Sequence, residues 1–281
     1  MIGAARGAQG RNYQLLATNQ FTTGGTQSYS IPAGTSYLSV ELWGGGGGGA
    51  GGNSVGSRPT NYYGGGGGGG GGYARYTMYG GQPKTGIFLG CTNDNFDMQA
   101  GDLLVLYVGA GGIGGNVGVN GAAGTSTSII KHTRNGITVL DHDSLTAGGE
   151  FNICSSSLFY SVLASGGYGG LTATTVPNGG TAGTILVVVE LPDRRELGSE
   201  GGFRGQGNNG TSTASGGGTG GKAGGFTSYA GGNGGTGGAA GVVGMTGGFP
   251  GGGGGGGGSN ATTRGRGGAG ATGSIIIKAY G

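Results

Sequence analysis

The side chains best able to do chemistry sit in one short run. "LDHDS" sets Asp141, His142 and Asp143 side by side, with His132 nearby across a hairpin. Carboxylates and imidazoles can ligate metals or pass protons. Either task needs three convergent ligands, or a nucleophile with a base and an orienting group. Alternate residues of a strand face opposite ways, so Asp141 and Asp143 share one face and His142 takes the other. The spacing therefore predicts a solvated hairpin end, not a catalytic or metal site. The chain is expected to be no enzyme and to use no cofactor and no metal. "GAGGIGG" contains a run like the G-x-G-x-x-G of dinucleotide sites. That fingerprint must open a helix and be followed by an acidic residue about 20 positions on, and no helix signal follows here. "RGRGG" (Arg264–Gly268) is the type of segment that binds single-stranded nucleic acid. It stands as one copy without interleaved aromatics, so no nucleic-acid partner is expected. Cys91 and Cys154 are read as buried free thiols, with one bridge between them as the alternative.

Aromatics are the better candidates for recognition. Tyr62, Tyr63, Tyr168, Phe226, Tyr229 and Phe249 fall on glycine tracts where no sheet core is expected. A ring presents a large area at small entropic cost and suits a sugar or protein surface. The competing reading is that these rings cover the flank of whatever the glycines build.

What positions them is set by composition. Of 281 residues, 84 are Gly and 6 are Pro, against roughly 7% Gly in ordinary proteins. Collagen needs Gly at every third position with abundant Pro; here the glycines come in unbroken blocks. Charged residues are 9%, whereas disordered chains are charge-rich and poor in aromatics. With 13 Tyr and 8 Phe, the apolar content supports one modest core. The net charge of +3 is too small to indicate nucleic acid. Arg204, Lys222, Arg264, Arg266 and Lys278 have no acidic neighbours after Gly201, and read as solubilising charges. The N-terminus has no apolar signal-peptide core, and no apolar window is long enough to span a membrane. Cytoplasmic synthesis without membrane insertion is the expectation.

Strand signals are short and clear. They cover Ser28–Gly34, Ser36–Trp43, Tyr73–Tyr79, Asp102–Gly109, a hairpin over Ser126–His142, then Leu158–Ser165, Thr184–Leu191 and Ser274–Tyr280. In the second of these, Leu38, Val40 and Leu42 face one way, and Tyr37, Ser39, Glu41 and Trp43 the other. Asn135-Gly136 suits a type I′ turn. Apolar throughout, Thr184–Leu191 reads as a buried or intersubunit strand. No helix is expected beyond one turn at Arg194–Leu197. Many short strands point to a sandwich or barrel.

The blocks Gly44–Gly49, Gly64–Gly72 and Gly251–Gly258 lie between strands. Linkers usually mix Gly with Ser and join domains; these excursions are pinned at the sheet, Trp43 preceding the first and Tyr73 following the second. The expectation is ordered left-handed helices of the polyproline II type, rising about 3.1 Å per residue with no internal hydrogen bonds. Packed side by side they can bond to one another, but only where no β-carbon intervenes. Gly64–Gly72 would then span roughly 28 Å.

"QSYSIPAGTSYLSVELWGGGGGG" is a strand, a PAG turn, a second strand ending in an aromatic, and a glycine run. With "QAGDLLVLYVGAGGIGG", "GTSTSII", "LASGGYGG" and the closing "GRGGAGATGSIIIKAYG", the chain resembles the glycine-rich domain of bacteriophage tail fibres and related virion adhesins, from about Asn19 to Gly281. It also looks like the glycine-rich extracellular domain of the anaplastic lymphoma kinase receptor family, which lacks the short N-terminus seen here. The resemblance implies an all-β, jelly-roll-like β-sandwich whose inter-strand loops form a polyglycine II helix bundle. It implies a virion protein, a tail-fibre or capsid-fibre adhesin attaching to the host surface. A decoration protein that only stabilises the capsid or tail is the alternative. The implied partners are other virion structural proteins and a host cell-surface glycan or protein, with a homotrimer as the expected assembly. The hairpin at Asn135-Gly136 and the charged segment Glu190–Gly205 depart from the family pattern and look like insertions; the latter reads as a surface loop, or a contact with another virion protein. Residues 1–18 read as an N-terminal arm, an anchor on the particle or a frayed end, and 19–281 as the glycine-rich domain.

Overall fold

Short aliphatic and aromatic runs cut by glycine form strands, and no helix occurs among the described residues. The computed structural model describes residues 13–55, 61–79, 99–141, 162–164, 170–171, 185–187, 217–223 and 231–281. The strands are β1 (Leu15–Phe21), β2 (Gly25–Ser30), β3 (Tyr37–Trp43), β4 (Asn53–Val55), β5 (Asn61–Tyr63), β6 (Tyr73–Tyr79), β7 (Leu103–Val108), β8 (Thr127–Arg134), β9 (Ile137–Asp141), β10 (Val162–Ala164), β11 (Ile185–Val187) and β12 (Ser274–Tyr280). One sheet runs β1-β12-β3-β6. A second runs β11-β10-β8-β7-β2, with β9 paired to β8, and β4-β5 is a separate ribbon. All pairings are antiparallel.

One apolar cluster joins the two large sheets. Leu38, Val40 and Leu42 of β3 and Ile275, Ile277 and Ala279 of β12 meet Leu104, Leu106 and Val108 of β7, with Tyr29 and Ile129. The period-2 pattern read from β3 holds on this face. On its other face the structure differs from simple alternation. Glu41 is 1% exposed, and Ser39 and Trp43 are buried too. Glu41 stays buried because it is partnered: Tyr73 Oη donates to it at 3.3 Å and Lys278 Nζ at 3.4 Å. Trp43 lies against Tyr73 with ring centroids 4.8 Å apart. Farther along, Tyr37 stacks on its cross-strand partner Tyr280 at 4.5 Å.

The N-terminal strand is one the sequence signals did not mark. β1 straddles residue 18, held on β12 and by reciprocal Gln14–Gly281 amide bonds of 2.8 and 2.9 Å. β2 begins and ends earlier than its pattern suggests, at Gly25 and Ser30, and the chain then turns at Ala33 and Gly34. The Asn135-Gly136 hairpin matches expectation, with φ of 50° and 77°. Of the expected strands Leu158–Ser165 and Thr184–Leu191, the described parts are β10 and β11, and β11 ends the order of its sheet. Arg194–Leu197, Glu190–Gly205, Cys91 and Cys154 lie outside the described residues.

Between the sheets' strands, the glycine tracts bond to one another with a period of three. Gly44, Gly47 and Ala50 donate to Gly72, Gly69 and Gly66 at 2.9, 2.8 and 2.8 Å. Gly45, Gly48 and Gly51 donate to Thr125, Ala122 and Val119; Gly46, Gly49 and Gly52 donate to Ala271, Gly268 and Gly265. Residues 251–258 repeat the scheme. Gly252, Gly255 and Gly258 donate to Gly248, Met245 and Val242, while Gly254 and Gly257 reach back to the carbonyls of Gly47 and Ala50. Both tracts are buried along their whole length. Their buried amides are thus satisfied without a sheet ladder. The absence of side chains is a steric necessity. A β-carbon at Gly46, Gly49 or Gly254 would overlap the backbone carbonyl of Gly252, Gly255 or Gly268.

A net hydrogen bond contributes about 0.5–1.5 kcal/mol, close to the roughly 1–2 kcal/mol lost on fixing one residue's backbone. The tracts therefore need the sheets to hold their ends. The Trp43–Tyr73 pairing does this for the excursion between β3 and β6.

Candidate functional site

Four chain reversals cap the end of the glycine bundle away from the large sheets. The first is the β4–β5 ribbon, with Asn53 paired to Tyr63 and Ser54 to Tyr62. In the second, Val119 N donates to Asn116 O at 2.9 Å, with Gly118 at φ 71°. The third has Val242 N donating to Ala239 O at 2.8 Å, with Gly241 at φ 78°. The fourth is closed by Asn260 N donating to Thr263 O at 2.9 Å and the Ser259–Arg264 bridge.

These reversals touch. Gly118 N donates to Gly52 O at 3.0 Å, and Ser259 Oγ donates to Asn53 O at 3.1 Å. Asn260 Nδ2 donates to Ala240 O at 3.3 Å. Asn260 also organises its own turn, its Oδ1 accepting from the amides of Thr262 and Thr263 at 2.9 and 2.7 Å. This is a turn chemistry typical of Asn. The result is one surface of bonded loops, which we call the apex. At the assumed rise of about 3.1 Å per residue, Gly44–Gly52 would carry it some 28 Å from β3.

The apex is aliphatic with a cationic margin. Val119, Val242 and Val243 are 52%, 53% and 54% exposed. Arg264 and Arg266 are exposed beside them, for Gly265 packs against the backbone of Val242 and Gly244 N donates to Arg266 O. Loops held by a rigid scaffold are where binding residues concentrate.

The six aromatic candidates do not come together. Tyr62 and Tyr63 stand on β5 at the apex, half-buried. Phe249 is 46% exposed at the other end, next to Gly251, which donates to Thr272 just before β12. Tyr168, Phe226 and Tyr229 lie outside the described residues. The valines at the reversals were missed by reasoning that looked for rings. Their signal was present: "NVGVN" and "AAGVV" interrupt otherwise glycine-rich stretches.

The chemistry-like motifs have places too. His132 pairs with Leu140, and Asp141 ends β9 opposite Lys131; His142 and Asp143 lie outside the described residues. Among the described residues, no three His, Cys, Asp or Glu side chains are grouped to hold a metal. The glycines of "RGRGG" are structural, since Gly265, Gly267 and Gly268 donate to Gly258, Gly115 and Gly255. The "GAGGIGG" glycines likewise bond to the first tract, Gly112 and Gly115 donating to Gly46 and Gly49. No described helix is long and apolar enough to cross a membrane.

The profile of a family described as a glycine-rich domain matches residues 22–280. No curated protein matches the chain.

Proposed function

The chain belongs to the glycine-rich domain family, and we propose that it is a structural, non-enzymatic protein of a bacteriophage virion. On this reading it is a tail-fibre or capsid-fibre adhesin, made in the host cytoplasm, that presents the apex to a host cell-surface glycan or protein. The sheets form a jelly-roll-like sandwich whose other side meets further virion proteins. The tracts are polyglycine II helices. What supports that last point is the three-residue recurrence of donors along Gly44–Gly52, with no bond inside the tract.

The observation that carries the role is the apex itself. Four reversals, three of them with exposed side chains, are gathered on tracts whose amides bond to neighbouring tracts. Pre-organised loops lose little entropy on binding. The experiment is saturation binding of labelled full-length protein to susceptible cells, with V242S/V243S and Y62A as apex variants. Saturable binding, weakened about tenfold by the valine substitutions, is the expected result, equivalent to 1.4 kcal/mol. No saturable binding to any susceptible cell would leave a particle-stabilising decoration role.

A further inference from the structure

Along the outer tracts, exposed side chains recur in rows at every third position, with Val242 and Met245 exposed beside them. Asn233, Thr236 and Ala239 form one such row; Val243, Thr246 and Phe249 form the next. The two tracts are neighbours, Met245 N donating to Thr236 O at 2.9 Å and Gly248 N to Asn233 O at 2.7 Å. Intervening glycines face inward. Gly244 and Gly247 donate to Arg266 and Ala269, and β-carbons there would overlap the carbonyls of Gly255 and Gly252.

The backbone of these rows is not used up. The amides of Asn233, Thr236, Val243 and Thr246 have no backbone acceptor among the described residues. They repeat with the spacing that buried tracts use to bond to one another. An unpaired row of this kind is a template for another chain, as the open edge of a sheet is. Where tracts pack face to face, however, most contact positions leave no room for a β-carbon: one added at Gly235, Gly244 or Gly247 would overlap the carbonyl of Met245, Gly255 or Gly252. We propose that the side chain at every third residue of the outer tracts is a barrier that confines the bundle to one molecule. Stripped of it, the outer tract of a second copy would add through the same amide–carbonyl bonds. The barrier rests on the tract hydrogen bonding and is independent of the host-attachment role.

The test compares V243G/T246G and N233G/T236G with V243S/T246S, each in the full chain. Sedimentation velocity reads association, and amide exchange at Gly251–Gly258 reads the fold. The glycine variants are expected to keep that protection and to raise the weight-average mass about twofold or more over wild type, as a self-complementary contact would. The serine variant, which keeps a β-carbon, is expected to stay at the wild-type mass. Wild-type mass in both protected glycine variants overturns the proposal. So does equal association by the serine variant, which would make loss of bulk the cause. If V243G/T246G alone loses protection, N233G/T236G decides. Loss of protection in both also overturns it, because those side chains would then be needed for the fold itself.

Discussion

Tyr29 puts a phenol in the core between the two large sheets, where its hydroxyl has no hydrogen-bond partner among the described residues. Tyr29→Phe is therefore expected to stabilise the protein by about 1 kcal/mol in chemical unfolding, the scale of an unsatisfied polar group. Burial raises the Tyr29 pKa above its ordinary 10.0. As pH rises past about 10, the unfolded chain loses this proton first, so stability is complete below that pH and falls as pH climbs toward the raised value. Alkaline unfolding curves of the phenylalanine variant should lack this component. Asp102 is the opposite case. Its carboxylate is 2% exposed and fully engaged, accepting from Arg134 Nε and Nη2 at 2.9 and 2.8 Å and from Gln99 N at 2.8 Å. Asp102→Ala strands the guanidinium and the amide. Because Arg134 remains about a quarter in solvent, the expected cost is about 2 kcal/mol, below that of a fully buried pair. In the tracts, Gly49→Ala drives a methyl into the Gly255 carbonyl and should cost about 3 kcal/mol or more. Thr246→Ala, on an exposed row, should stay within about 0.5 kcal/mol.

The strands show how far sequence pattern carries. β3 and β12 were legible because Leu38, Val40 and Leu42, and Ile275 and Ile277, alternate into the shared cluster. Asn135-Gly136 was legible to the residue, since both positions take positive φ. β1 was not, because "LLATNQF" has no clean alternation and is fixed by backbone bonds to β12 and by the Gln14–Gly281 pair. The second buried face of β3 was hidden for another reason. Glu41 signals solvent in a pattern, and only the structure supplies the Tyr73 and Lys278 groups that let it stay inside. The apex was illegible as a site, since which reversals meet depends on pairing between distant tracts, such as Ser259 with Asn53. For the tracts, hydrogen exchange gives the direct check. Amides of Gly46, Gly49, Gly254 and Gly257, all bonded and buried, should exchange at least about a hundredfold more slowly than those of Val243 and Thr246, a difference of about 2.7 kcal/mol in opening free energy. Equal rates would mean that the tract hydrogen bonds do not persist.

At the scale of the whole molecule, the sheets and the bundle are joined at Trp43 and Tyr73, where strand pairing ends and tract pairing begins. Trp43→Ala should therefore lower protection along Gly44–Gly52 as well as in β3, and the two should fall together. The recurrence of partners every third residue has a further consequence: the bundle possesses something like a reading frame. Removing Gly48 and Gly68 alone would put the rest of each tract out of phase, turning donors away from their carbonyls, and the cooperative thermal transition should be lost. Removing Gly47–Gly49 together with Gly67–Gly69 keeps the phase and shortens that arm by roughly 9 Å at 3.1 Å per residue, moving its outer residues one triplet along the neighbouring tracts. Such a molecule should still melt in one step. Over evolutionary time, lengths of these tracts would then be free to change in triplets and locked against any other increment.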